Sequence, residues 1–306
     1  MVTIMPTTSV KIGRLTLRNP IVTGSGTFGF GPEMASIVDL NKLGAVVVKS
    51  TSREARLGNP TPRIVETPSG ILNAIGLQNS GVDNFIAEKL PFLRRYDVPI
   101  IVNLVGTEVG DYVHLAEKLT AAGGVHGLEI NISCPNVKHG CDFAVDPALT
   151  GELIREVRKV TDLTIITKLS PNVTDMVPVA RAAVDSGSDA LSLINTLIGT
   201  AIDIRKRKFR LANITGGLSG PAIKPIALRC VWQVHRALPN VPLIGMGGIM
   251  SATDAIEFLL AGATAVAVGT ATFVNPTAST DIVTGLENYL VENGIGDVNE
   301  LIGAVT

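Results

Sequence analysis

The chain has 306 residues with 26 Lys and Arg against 27 Asp and Glu, a net charge of −1 that argues against nucleic acid or an anionic membrane surface as the main partner. Apolar residues make up 46% and aromatics only 4%, with 31 glycines, the profile of an aliphatic parallel-sheet core with many glycine turns. Three cysteines (134, 141 and 230) make no disulfide framework, no apolar run approaches about 18 residues, and the start lacks a signal-peptide pattern; the expectation is a cytoplasmic protein without a membrane segment.

In chain order, “VKIGRLTLRN” predicts a small hairpin, a cap for the floor of a barrel. Short apolar runs then recur between Gly, Pro, Asn and Ser: 20–26, 44–50, 99–106, 127–133, 164–170, 190–196, 241–248 and 265–270. Their length and Val/Ile content suit buried strands. Between them lie segments of helical spacing, such as “DYVHLAEKLTAAG” and “VPVARAAVDSG”, several ending in Gly. Strand–helix alternation over eight units predicts an α/β fold, a single (β/α)8 TIM barrel spanning residues 1–306. Three strand-to-helix loops are long, after strands 2 (51–80), 4 (134–147) and 6 (197–220). That is the face on which barrels build their active sites.

Polar residues stand near the carboxyl ends of most strands: Ser25, Lys49, Ser50, Asn103, Asn131 and Cys134, then Lys168, Asn195 and Thr196. In a barrel these converge on one mouth. Within “EINIS”, alternation puts Glu129, Asn131 and Ser133 on one face. Asparagine amides suit a planar ligand rich in amide or imide groups, and lysines suit a carboxylate, a phosphate or an electron-rich ring. “GMGG” (245–248) and “GT” (269–270) close the last two strands, where glycines let backbone N–H groups approach a phosphate. The inferred ligand is phosphorylated, flavin mononucleotide (FMN) being one example. “GSGTFG” (24–29) mimics a dinucleotide-binding turn, but the next strand ends in Lys49 and Ser50 where an acidic residue would hold a ribose. Cys134, at a strand end before Pro135, reads as a small buried hydrophobe, a metal ligand, a nucleophile or a proton-transfer group. Its spacing to His139 and Cys141 is not a common zinc pattern. Cys230 reads as core, His114, His126 and His235 as structural or exposed, and “RKRKFR” (205–210) as a solvated loop or a partner contact.

“NISCPNVKHG” (131–140), “KS” (49–50), “NAIGLQN” (73–79), “LSPNVTD” (169–175), “INT” (194–196), “ANITGGLSGPAIKPIAL” (212–228) and “GMGG” together resemble the dihydroorotate dehydrogenase family. The similarity is greatest to the catalytic subunits of its NAD-linked class (class 1B). The resemblance implies a barrel that binds FMN and oxidises dihydroorotate to orotate in pyrimidine synthesis. It implies Cys134 as the base at substrate C5, with hydride passing from C6 to flavin N5. It places substrate at Lys49, at Asn73, Ala74, Ile75, Gly76 and Leu77, and at Asn131, Asn195 and Thr196. It places FMN at Ser25, Lys49, Ser50, Asn103, Asn131 and Lys168, and at Ile194, Gly220, Gly247, Gly248, Gly269 and Thr270. It further implies a partner subunit carrying FAD and an iron–sulfur cluster, and a homodimer of this chain within a heterotetramer. The quinone-linked class differs in its membrane-docking extension and serine base, neither of which stands here. A fumarate-linked (class 1A) enzyme, a flavin barrel acting on another dihydropyrimidine, and an idle binding scaffold are the competing readings.

Overall fold

The computed structural model describes residues 6–132 and 140–306. Eight parallel strands form one sheet: β1 (Ile21–Thr23), β2 (Val46–Thr51), β3 (Ile100–Leu104), β4 (Gly127–Asn131), β5 (Thr164–Lys168), β6 (Ala190–Leu193), β7 (Leu243–Met246) and β8 (Ala265–Val268). Each falls inside one of the eight apolar runs, except β2, which continues one residue past its run to Thr51. Neighbours follow chain order from β2 to β8, and β8 pairs in turn with β1. A parallel bridge between Val22 and Ala45 closes the ring. At that seam β1 is too short for a full ladder. The Thr23 hydroxyl fills in, donating to the Val47 carbonyl at 3.0 Å and accepting the Val47 N–H at 2.8 Å.

Every residue of β3, β4 and β5 is buried, which suits the β-branched runs of β3 and β5, while β4 carries Glu129 and Asn131 among its buried residues. Helices cover the outside, and their apolar stripes face the sheet, as with Leu153, Ile154 and Val157 of the helix Pro147–Lys159. Asp146 starts that helix by accepting the N–H groups of Ala148 and Leu149. Cys230 is 3% exposed within the helix Lys224–Ala237, as its apolar context predicts. His126 lies near the floor, its Nδ1 accepting the Ile100 N–H at 3.0 Å. Among the described residues no helix is long and apolar enough to cross a membrane.

Two details depart from the sequence reading. The first strand–helix unit holds only the turns Ser25–Phe28 and Leu40–Lys42 in place of a full helix. Gly29 (φ 75°) and Gly31 (φ 103°) adopt conformations that end a right-handed helix, which accounts for the interruption. The long loops after β2 and β6 are also not independent. They pair into a four-stranded antiparallel sheet in the order Leu197–Thr200, Thr215–Ser219, Gly70–Asn73, Ile64–Thr67. This sheet roofs the carboxyl end of the barrel, with Val65, Leu72, Ala74 and Leu211 packed as its own small core. The predicted hairpin, Val10–Ile12 with Leu15–Leu17, takes the opposite end, where the Arg14 N–H donates to the Thr164 hydroxyl at the start of β5. Residues 205–210 sit around a second small hairpin, Ile202–Asp203 with Lys208–Phe209, and are exposed throughout.

Candidate active site

Between the roof and the strand ends lies a cavity of about 930 Å3. Ser25, Lys49, Ser50, Asn131 and Lys168 line it from the ends of β1, β2, β4 and β5; Ile194, Asn195 and Thr196 line it from the end of β6. The roof contributes Asn73, Ile75, Gly76 and Leu77. Gly220, Gly247, Gly248, Gly269 and Thr270 form one side. Two expected residues stand behind the wall instead. Asn103 is fully buried and accepts the Ser50 hydroxyl at 2.6 Å, so it supports a lining residue. Ala74 is in the roof's core, where its N–H donates to the Arg63 carbonyl. Cys134 and His139 lie outside the described residues, as does the side chain of Cys141.

The amides are held in place. The Asn195 side-chain N–H donates to the Asn131 Oδ1 at 3.3 Å, and the Thr196 N–H donates to the Asn195 Oδ1 at 2.8 Å. Tyr112 braces β4 from the helix layer by donating to the Asn131 carbonyl at 2.9 Å. The cations are less restrained. Lys49 is half-buried, and its ammonium makes no hydrogen bond or ion pair with the described residues. Burial pushes its ammonium below the ordinary lysine range, the Arg63 guanidinium adds to the shift, and the Glu33 carboxylate opposes it. Such a group gains from an anion placed beside it. Lys168 is 7% exposed and lies 3.7 Å from the Glu129 carboxylate, an ion pair longer than a hydrogen bond.

The glycine side has the character of a phosphate cradle. Gly248 (φ 74°) allows two loops to touch, since a Cβ there would stand 2.8 Å from the Gly220 carbonyl oxygen. At Gly269 a Cβ would meet no atom of the described residues within 4 Å, so they leave that space open toward the cavity. The loops are tied together by charge. Lys224 Nζ donates to the Asp254 carboxylate at 2.6 Å and ion-pairs with Glu257 at 2.9 Å. The other Asp254 oxygen accepts the Met250 and Ser251 N–H groups and the Ser251 hydroxyl, closing a capping box on the helix Ala252–Leu260. The hydrogen bonds to Asp254 and Glu257 hold the Lys224 ammonium above its ordinary value. Burial works to raise the Asp254 carboxyl, but the Lys224 ammonium and the N–H donors outweigh it and hold it low.

Sequence reasoning placed Glu129 on the same face as Asn131 without giving it a role. Ser192 passed unnoticed, because a serine inside an apolar run carries no signal until the ring closes. Both are buried beneath the cavity, with Ser192 Oγ donating to Glu129 at 2.8 Å.

Residues 7–290 match the family model described as dihydroorotate dehydrogenase. Among curated proteins, the chain is 61% identical over 301 residues to a protein of Geotalea daltonii named dihydroorotate dehydrogenase B (NAD(+)), catalytic subunit, covering 98% of each chain. A protein of the same name from Desulforamulus reducens is 58% identical over 297 residues, 97% of each chain.

Proposed function

The chain belongs to the dihydroorotate dehydrogenase family, and from that premise we propose that it oxidises dihydroorotate to orotate in pyrimidine synthesis, as a single FMN-binding domain acting in the cytoplasm. The observation that carries the reading is the cavity itself: the Lys49 ammonium without a paired carboxylate, the Lys168 ammonium loosely paired with Glu129, a set of restrained amides and an open glycine cradle, all at the carboxyl end of one barrel. These residues fit FMN by their chemistry. Gly220, Gly247, Gly248, Gly269 and Thr270 would hold the phosphate through backbone N–H groups and a hydroxyl. Lys168 and Ser50 would face the ring system. Bound there, FMN supplies the acceptor for the hydride leaving substrate C6.

The protein's own residues do the rest. Asn73, Asn131 and Asn195 offer donors and acceptors matched to a cyclic ureide, and Thr196 is oriented through Asn195. The Lys49 ammonium supplies the charge for the substrate carboxylate, and recovers in that pairing what burial costs it. The roof excludes water from the reacting face. Cys134, in the segment that follows β4, removes the proton from C5. A free thiol titrates near ~8.5, so the reaction quickens as pH rises toward the thiol's own value. Electrons then leave for NAD through a partner subunit bearing FAD and an iron–sulfur cluster, with two copies of each chain in the assembly.

The test is the visible spectrum of the purified chain without oxygen, before and after adding dihydroorotate. Bleaching of a flavin band is the expected result. A chain that takes up no FMN even on reconstitution overturns the reading. Cys134→Ala is expected to bind FMN normally and to slow its reduction by about 10²–10⁴-fold. Unchanged reduction in that variant removes Cys134 from the role of base.

A further inference from the structure

A buried carboxylate beneath the cavity has no part in the reaction steps above. Glu129 stands in β4 with its side chain 2% exposed, and its partners come from three other strands. Asn103 of β3 donates to one oxygen and Ser192 of β6 to the other. β6 is not a neighbour of β4, so the Ser192 contact spans the barrel interior. Lys168 of β5 brings its ammonium to 3.7 Å from the Asn103-bonded oxygen. Asn103 in turn accepts from Ser50, which lines the cavity. Glu129 is therefore linked to two of the lining residues, Lys168 directly and Ser50 by way of Asn103.

Two properties of this arrangement matter. The carboxylate spends its hydrogen bonds on neutral donors and leaves the Lys168 ammonium N–H groups for the cavity, since that ammonium makes no hydrogen bond with the described residues. The carboxylate is nonetheless close enough to offset much of that ammonium's charge in a region shielded from solvent. A cavity wall with a compensated lysine attracts an anion less than one with a bare lysine.

We propose that Glu129 is a positioning residue that holds Lys168 at the wall and sets how strongly the cavity favours a reduced flavin over an oxidised one. The inference rests on the FMN reading above. Hydride transfer to a flavin adds two electrons and one proton, so the ring system gains one negative charge. The neutral oxidised ring feels the Glu129–Lys168 balance weakly, and the charged reduced ring feels it strongly. Glu129 thus keeps the bound flavin from becoming too poor a donor to the next acceptor.

The test compares Glu129→Gln with the wild-type holoprotein. Glutamine has the same shape. Its oxygen can accept from Asn103 while its N–H donates to Ser192, so both contacts persist with the Ser192 hydroxyl turned from donor to acceptor. The expected result is oxidised FMN affinity within about threefold of wild type, and reduced FMN bound about tenfold more tightly relative to oxidised FMN. That is a rise of about 30 mV in the two-electron midpoint potential. Glu129→Asp draws the charge back from Lys168 by one methylene and is expected to raise the potential by less, in the same direction. In a Lys168→Met background the effect of Glu129→Gln is expected to shrink, because the group it acts through is gone. A potential within measurement error of wild type, with FMN bound, overturns the proposal, as does a fall in potential. Loss of the fold or of FMN from both Glu129 variants also overturns it, by making Glu129 a residue of stability alone. A wild-type protein that never binds FMN would instead refute the FMN reading.

Discussion

Gly269→Ala separates what the fold requires from what a ligand requires. Gly269 follows β8, its backbone lies outside the left-handed region, and a Cβ there would meet no atom of the described residues within 4 Å. The apoprotein therefore has no use for a glycine at this position. Replacing it at a compatible conformation should stabilise the chain by about 0.4–1 kcal/mol, through a less flexible unfolded state. At about 2–4 °C per kcal/mol for larger domains, the apoprotein melts about 1–4 °C higher. The same methyl group enters the space assigned to the phosphate. Losing one charge-assisted hydrogen bond costs about 1.5–3 kcal/mol, which weakens FMN binding about 10- to 150-fold. Gly248→Ala is the contrast. There φ is 74°, and the new Cβ would stand 2.8 Å from the Gly220 carbonyl oxygen and 2.9 Å from the Lys224 Cβ. A left-handed alanine costs about 1–2 kcal/mol and the crowding about 1–3 more, so that apoprotein melts lower. The assay is an apoprotein melt beside an FMN titration followed by flavin fluorescence. FMN affinity within threefold of wild type in Gly269→Ala would refute the cradle, and a melting loss as deep as that of Gly248→Ala would refute the open space.

Lys49→Met should weaken orotate binding by about tenfold or more, the effect of losing a charge-assisted contact. Because burial lowers the Lys49 pKa, wild-type orotate affinity should fall as pH rises through a range below the ordinary lysine value, while the variant's pH profile stays flat. The same shift makes the charged Lys49 a cost to the apoprotein below its folded pKa, so Lys49→Met should raise the neutral-pH melting temperature, by an amount that disappears above about pH 10.4. Lys224→Met breaks the tie to Asp254 and should cost about 1–2 kcal/mol, less than a fully buried pair because Lys224 keeps 27% of its side chain exposed. Lys224 is raised and Asp254 lowered, so the gap to wild type should close as pH rises through the folded Lys224 value, above about 10.4, and as pH falls through the folded Asp254 value, below about 3.9. Melting curves across pH check both limits. Ser251→Ala removes the hydroxyl of the capping box and should cost about 1 kcal/mol in the same assay.

The barrel was legible because its signal is local. Runs such as “AVAVGT” are short, β-branched and apolar, and a strand buried on both faces demands just that. The polar strand ends were legible for the same reason: a lysine or asparagine at the end of such a run has the barrel mouth as its natural place, and the structure brings Lys49, Asn131, Lys168 and Asn195 to one cavity. The roof was not. “TGGLS” (215–219) has neither alternation nor a continuous apolar run, and it pairs with residues 71–73, more than 140 positions earlier. Nothing in either loop alone specifies that pairing; it exists because β2 and β6 end on the same rim. Asn103 and Ala74 show the complementary limit, since a motif marks a segment as belonging to a site without saying which side chains face the ligand and which face the core.

The amino-acid order by itself determined the strands, the end of the barrel that carries the site, and the residue types gathered there, because burial and chain direction act on each segment separately. Only the tertiary structure decided that Glu129, Asn103, Ser192 and Lys168 form one network, and that Gly269 opens on empty space while Gly248 is pressed between two loops. Those relations join residues on different strands and loops, and ring closure is what brings them within reach of one another.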